Sequence, residues 1–288
     1  MEVKENRYEE LKEYLRKFDK TIIAFSGGID SYLVLKASID AIGNENVLAV
    51  TGESPSLKQS EKEQTDYLAE QIGAKHLLIQ TNEVDNPLYF NNPVNRCFYC
   101  KDELYSKLDG IKENSGYNYI LDGTNFDDMS DYRPGYKASS IRNIISPLVE
   151  LKFTKNEIRG IAKALGLEIW DKPSSPCLSS RIPYGQKVTI EKLSIIEKAE
   201  EVLKSLGFND YRVRFFEINK NGTGTGGMKL AKVDISAQEI NKALNRKIVD
   251  EINNKLKEIG FDFVTLDLGG LKSGSLNLSP ERSRRGDK

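Results

Sequence analysis

This chain is short of histidine, of cysteine and of net charge, and each shortage removes a class of function. One histidine, His76, in 288 residues leaves little room for histidine-based acid–base chemistry. It opens the apolar run Leu77-Leu78-Ile79, so it reads as a packed strand residue. Lysine and arginine number 42 against 43 acids, a net charge of −1, which predicts no broad electrostatic grip on nucleic acid or an anionic membrane. The expected ligand is small. No apolar run approaches the roughly 20 residues that span a bilayer. The N-terminal stretch is a mixed-charge amphipathic helix pattern, with Tyr8, Leu11, Leu15 and Phe18 on its apolar side, unlike the apolar core of a signal peptide. A cytosolic location follows, where thiols stay reduced. Three cysteines, an odd number, then read as metal ligands or reactive groups before disulfides.

What the chain does have is Ser26-Gly27-Gly28-Ile29-Asp30-Ser31, between the apolar run Thr21-Ile22-Ile23-Ala24-Phe25 and a helical pattern over 32–42. A strand, a glycine turn and a helix make a phosphate cradle: backbone N–H groups converge, the helix N-terminus adds partial positive charge, and hydroxyls flank the site. Asp30 can hold a magnesium ion there. The string resembles the PP-loop signature of ATP pyrophosphatases, which split ATP between its α and β phosphates and hand AMP to a substrate oxygen. A Walker A loop does not fit, because Lys36 lies well inside the helix. Another glycine string, Gly222-x-Gly224-x-x-Gly227, matches the dinucleotide fingerprint, yet strand patterns flank it and no helix follows. It reads as a hairpin loop.

Short apolar runs at 21–25, 47–51, 75–80, 119–121 and 142–145 alternate with helical patterns, among them 57–72 after Ser54-Pro55-Ser56 and one opened by the capping box Thr154-x-x-Glu157. That alternation predicts an α/β fold: a parallel sheet flanked by helices, with the glycine turn at its ligand-binding edge. The predicted PP-loop domain is 1–185. A smaller α+β domain over 186–288 is expected, with a helix at 189–206, strands at 211–218, 228–234 and 261–266, helices through 259, and a basic polar tail at 282–288.

Cys97-Phe98-Tyr99-Cys100 stands at the start of a predicted helix to Leu108, and Cys177 follows in Ser-Ser-Pro-Cys-Leu-Ser-Ser-Arg. Spacing leaves open a three-thiolate iron–sulfur cluster, a zinc site completed by His76, a dithiol pair, or no metal. Beside an ATP site the constellation gains meaning, since sulfur insertion needs an activated oxygen and a sulfur nucleophile.

The string from Lys172 to Gly185, Asp122-Gly123-Thr124-Asn125, Tyr132-Arg133-Pro134-Gly135 and the closing Asp267-Leu268-Gly269-Gly270-Leu271-Lys272-Ser273-Gly274-Ser275-Leu276-Asn277 resemble the signature of the LarE family of ATP-dependent sulfur transferases. The resemblance implies a substrate, pyridinium-3,5-biscarboxylic acid mononucleotide, whose carboxylates are adenylated and become thiocarboxylates on the way to a nickel-pincer nucleotide cofactor. In family members that sacrifice sulfur, the cysteine matching Cys177 ends as dehydroalanine. Cys97 and Cys100 depart from that pattern and match a branch in which three cysteines hold a 4Fe-4S cluster, with extra sulfide on the open iron and an external sulfide source. Catalytic roles then fall to Cys177, Asp30, Arg212 and Arg214, with Ser26, Gly27, Gly28, Asp30 and Ser31 binding ATP and Mg2+.

Ser180, Arg212 and Arg214 resemble the group that binds the substrate phosphate. The two arginines lie two apart on a strand, on one face opposite Val213, and suit a phosphate or carboxylate. Glu200 and Asp234 resemble acids that bind a divalent ion, so the implied metal ligands are Cys97, Cys100, Cys177, Glu200 and Asp234. A homo-oligomer is expected. Two competing readings are a PP-loop tRNA thiolase, disfavoured by the neutral charge, and an ATP-binding module with a structural metal.

Overall fold

The computed structural model describes residues 2–130, 134–173, 175–218, 227–272 and Leu276. Of the motifs above, Tyr132, Arg133, Ser174, Gly222, Gly224, residues 273–275, Asn277 and the tail 282–288 lie outside the described residues. The chain divides into two compact units, 1–86 with 95–176, and 87–94 with 177–288.

In the first unit, α1 (Glu2–Leu15), β1 (Thr21–Ala24), α2 (Ile29–Ile42), β2 (Val47–Glu53), α3 (Gln59–Gln71) and β3 (Lys75–Gln80) follow one another. After the excursion of 87–94, which carries α4 (Pro87–Phe90), come α5 (Arg96–Ser115), β4 (Tyr119–Leu121), α6 (Pro134–Ile141), α7 (Pro147–Glu150) and α8 (Lys155–Ala164). The sheet is parallel, in the order β3-β2-β1-β4. Side chains of β1 alternate between two cores, as a strand buried on both faces requires. Ile23 joins Leu11, Leu15, Leu33 and Ile158 from α1, α2 and α8, while Ile22 joins Tyr105, Leu108 and Ala138 from α5 and α6. Leu11 and Leu15 are fully buried, which realises the amphipathic reading of the N-terminal helix and is worth about 1.5–3 kcal/mol for each side chain.

The chain runs outward from β1 to β3 and then returns to the other side of β1 as β4. This reversal of strand order puts its switch point between the C-terminal ends of β1 and β4, the place where open α/β sheets hold ligands. The glycine loop follows β1, and Asp122-Gly123-Thr124-Asn125 follows β4. Gly123 passes so close that a Cβ there would lie 2.4 Å from the Ser31 nitrogen and 2.6 Å from its Cα.

The strand expected over 142–145 does not form. Arg142 still donates its N–H to Ala138, Asn143 turns into the left-handed region at φ 53°, and Pro147 starts α7, so only Ile145 is left to bridge Leu121. His76 lies on β3 as predicted, bonded to the Thr51 hydroxyl at 2.8 Å and to Asp66 at 2.9 Å. The Thr154–Glu157 capping box is present at the start of α8.

The second unit begins at Cys177 rather than after residue 185. Its segment 177–188 is held by 87–94: Gly185 and Val188 donate backbone N–H groups to Asn92 and Phe90, and the Asn92 amide reaches the carbonyls of Ile182, Pro183 and Gln186. Then follow α9 (Ile190–Ser205), β5 (Tyr211–Ile218), β6 (Met228–Ile235), α10 (Ile240–Ala243), α11 (Arg246–Ile259) and β7 (Phe263–Leu266). The sheet order is β5-β6-β7, antiparallel and then parallel. Gly227, the described glycine of the fingerprint-like string, is followed directly by β6 and not by a helix. Among the described residues, no helix is long and apolar enough to cross a membrane.

Gly123→Ala would push a methyl group into the start of α2. We expect a loss of about 1–3 kcal/mol in stability, read from urea unfolding, together with weaker ATP binding measured by calorimetry.

Candidate functional site

Three glycine-loop features follow directly from the residues. Gly27 has φ 67°, and a Cβ there would lie 2.8 Å from Thr65 Cγ2, so the turn needs glycine twice over. Gly28 caps α2 without a side-chain hydrogen bond, which leaves first-turn N–H groups uncapped by any side chain. Ser31 Oγ donates to the Gly28 carbonyl at 3.0 Å and accepts from the Ser26 N–H at 3.2 Å, and the two serine hydroxyls stand 3.1 Å apart. These bonds shape a concave run of donors for an anion at a positive helix end.

Asp30, the acid inside the loop, is held by a residue that the sequence reading missed. Lys155 Nζ, on the first residue of α8, lies 2.8 and 2.6 Å from its two carboxylate oxygens. Burial lifts the Asp30 carboxyl above its usual value even with Lys155 beside it. Lys155 is itself placed by its backbone N–H, which donates to Asp127 at 2.7 Å. A divalent ion at Asp30 would take the oxygens that Lys155 now holds.

At the neighbouring strand end, Asp122 is 3 % exposed and accepts five hydrogen bonds. The donors are the Thr124 N–H and hydroxyl, the Ser146 and Ser139 hydroxyls and the Tyr105 hydroxyl. Burial works against its ionisation, but the Lys101 charge and the bonds from Ser146 and Thr124 outweigh it and hold the carboxyl below its usual range. Tyr105 belongs to α5, whose first turn carries Cys97 and Cys100. Three residues apart on a helix, these two share a face; Cys97 is exposed and Cys100 half-buried.

In the second unit, Cys177 is exposed and caps the short 3-10 turn Leu178–Arg181. The fully buried Arg181 fixes that turn. It donates to both Glu200 oxygens at 2.8 and 3.2 Å, to the Cys177 carbonyl at 3.2 Å and to Ser180 Oγ at 2.9 Å. Glu200 also accepts the Val213 N–H. Asp234 is bonded by Arg214 Nε and paired with Lys232 at 3.0 Å. Both acids proposed as divalent-ion ligands are thus neutralised by cations, a poor fit to a metal. Among the described residues, no group of three or more His, Cys, Asp or Glu side chains stands together as a metal site.

Arg212 differs from its neighbours. It shares a face of β5 with Arg214, is 8 % exposed, and has no ion pair among the described residues. Burial, then the charges of Arg181 and Arg214, pull its guanidinium below its ordinary value. A buried cation beside two others attracts an anion. Ser180 is on the same short turn as Arg181.

Comparison with known proteins matches this picture. A family model described as NAD synthase covers residues 3–92. An uncharacterized protein of Synechocystis sp. is 43% identical over 273 residues, 95% of this chain and 97% of the relative. The pyridinium-3,5-bisthiocarboxylic acid mononucleotide synthase of Lactiplantibacillus plantarum is 37% identical over 263 residues, 91% of each chain. An uncharacterized protein of Methanocaldococcus jannaschii is 31% identical over 258 residues, 90% of this chain and 92% of the relative.

Glu200→Ala takes its carboxylate partner from the buried Arg181, so unfolding in urea should show a loss of about 3–5 kcal/mol; an exposed metal ligand would lose far less. Asp122 adds a pH dependence. Its folded value lies below the unfolded value of about 3.9, so the unfolded chain binds more protons and the Asp122 contribution, complete above that value, disappears as pH falls further. Urea midpoints followed from neutral pH down to that region should fall less steeply for Asp122→Asn than for the unaltered chain.

Proposed function

The chain belongs to the LarE family of sulfur transferases, and from that premise we propose that it is an ATP-dependent enzyme converting carboxylates of pyridinium-3,5-biscarboxylic acid mononucleotide to thiocarboxylates. The observation that carries the reading is a phosphate-cradling loop and the Cys97–Cys100 thiol pair in one unit of a chain with this ancestry.

The loop over Ser26 to Ser31 cradles the ATP phosphates, with Asp30 holding a magnesium ion. The substrate carboxylate attacks the α-phosphorus, the bond to the β-phosphate oxygen breaks, and pyrophosphate leaves. A sulfur nucleophile then adds to the acyl carbon, AMP departs with the C–O electron pair, and a thiocarboxylate remains. Arg212, whose charge no carboxylate of the described residues pairs, takes the substrate phosphate together with Ser180; Arg214 supports it from the same strand face. Glu200 and Asp234 act as counter-ions for Arg181 and Arg214.

Cys97, Cys100 and Cys177 are unbridged thiols, and three thiolates suit a 4Fe-4S cluster. Cys97, Cys100 and Cys177 would hold such a cluster, which would supply inorganic sulfide as the sulfur nucleophile and leave Cys177 with its own sulfur. The enzyme would work in the cytoplasm, as a homo-oligomer, with sulfide from an external source.

Anaerobically reconstituted protein given ATP, magnesium, sulfide and the dicarboxylate should make thiocarboxylate over many turnovers and release pyrophosphate. One sulfur per chain, with a mass loss at Cys177, would refute the cluster route; ATP binding without pyrophosphate would refute the enzyme. Cys97→Ala should lose its iron. Arg212→Ala should raise KM for the mononucleotide by about ten- to a hundredfold, with little change in KM for ATP, as expected for the loss of one charge-assisted bond.

A further inference from the structure

Lys101 follows Cys100 directly on α5, and its ammonium stands 3.6 Å from Asp122 Oδ2. Asp122 does not depend on it for hydrogen bonding. Its nearer donors are Ser146 Oγ at 2.7 Å, Thr124 Oγ1 at 2.7 Å, Tyr105 OH at 2.8 Å, the Thr124 N–H at 3.1 Å and Ser139 Oγ at 3.3 Å. A carboxylate offers about four lone-pair sites, so these donors fill it. Lys101 is therefore held by charge alone, and among the described residues its three N–H donors have no acceptor within hydrogen-bond distance.

The rest of the side chain is fixed in place. Gly135 comes so near that a Cβ there would lie 2.8 Å from Lys101 Cδ, and the ammonium sits 5.8 Å from the centre of the Tyr105 ring. The result is a side chain 38 % exposed, its stem packed and its donors unused among the described residues. A solvated surface lysine would need neither the buried carboxylate nor the glycine beside its stem. Its location gives the donors a purpose. Asp122 directly follows β4 at the strand-order switch point, and Gly123, the next residue, lies against the nitrogen of Ser31 in the nucleotide loop. In the other direction along α5, the preceding residue is a thiol of the Cys97–Cys100 pair.

We propose that Lys101 is an anion-binding residue of the adenylation site, donating to an oxyanion that passes between the nucleotide loop and the thiol pair. Asp122 positions the ammonium without using its hydrogen bonds, and a bound oxyanion would accept them at charge-assisted strength. The oxyanion is a nucleotide phosphate or the carboxylate of the acceptor. This inference rests on the nucleotide-loop reading above and adds a residue to it.

The test uses the full chain with Lys101→Met and Lys101→Arg. Calorimetry measures the binding of α,β-methylene-ATP with magnesium in one arm and of pyridine-3,5-dicarboxylate in the other. Lys101→Met should weaken one ligand by about ten- to a hundredfold, and Lys101→Arg should recover most of that loss because it restores the charge. Loss in the nucleotide arm assigns the oxyanion to phosphate; loss in the dicarboxylate arm assigns it to the acceptor. Both arms within twofold of the unaltered chain would overturn the proposal, as would equal weakening by both variants with a lowered melting temperature. Pyrophosphate release by the unaltered chain separates the two readings: its absence removes the enzyme reading and leaves the binding comparison intact.

Discussion

A carboxylate taken out of water must be neutralised where it sits, and three buried acids organise both units of this protein on that principle. Asp122 gathers hydroxyls from α5, α6 and the start of α7 around the end of β4. Glu200 draws Arg181 inward, and Arg181 then sets the carbonyl of Cys177. Asp234 fixes Arg214 across the β5–β6 pair. In each case the group nearest the chemistry is held through a partner whose own place is dictated by charge. Arg212 and Lys101 stand apart from this pairing. Among the described residues, one has no ion pair and the other has charge compensation without a hydrogen bond, and both are therefore suited to an incoming anion.

The nucleotide loop depends on a second constraint, the reversal of strand order beside β1. Parallel neighbours arriving from opposite directions leave the ends of β1 and β4 open to a ligand. Close approach of the two connecting segments then requires glycine at Gly123, where a methyl group would meet Ser31, while the positive φ of Gly27 and the nearness of Thr65 on α3 require it there. The loop's shape is thus set from outside as well as by its own turn, and its acid, Asp30, meets Lys155 from a helix that begins after residue 154.

Much of this was legible without coordinates. The alternation of apolar runs and helical patterns foretold a parallel sheet, and four of its five expected strands form, since each strand needs a consistent apolar period whatever its neighbours. The run at 142–145 carried the same pattern yet pairs only through Ile145, because the left-handed turn at Asn143 and the helix at Pro147 leave too little extended chain. The unit boundary escaped prediction for a related reason. Asn92 lies about ninety positions before its carbonyl partners, and nothing in local composition signals that its amide draws 87–94 to the second unit. Glu200 and Asp234 read as divalent-ion ligands or as exposed helix and strand positions; both are buried, and their pairing with Arg181 and Arg214 comes from elements far apart in sequence.

The sequence by itself determined the phosphate-binding loop, the helical spacing of Cys97 and Cys100, the shared face of Arg212 and Arg214, and the family. All of these are encoded in residues within a few positions of one another, where backbone periodicity decides which side chains can meet. Only the tertiary structure decided which charges are satisfied and which are left to bind. Pairing of Asp30 with Lys155, Glu200 with Arg181 and Asp122 with Tyr105 and Lys101 depends on elements brought together by burial of apolar faces, and the hydrophobic effect that drives such burial does not specify partners by local sequence.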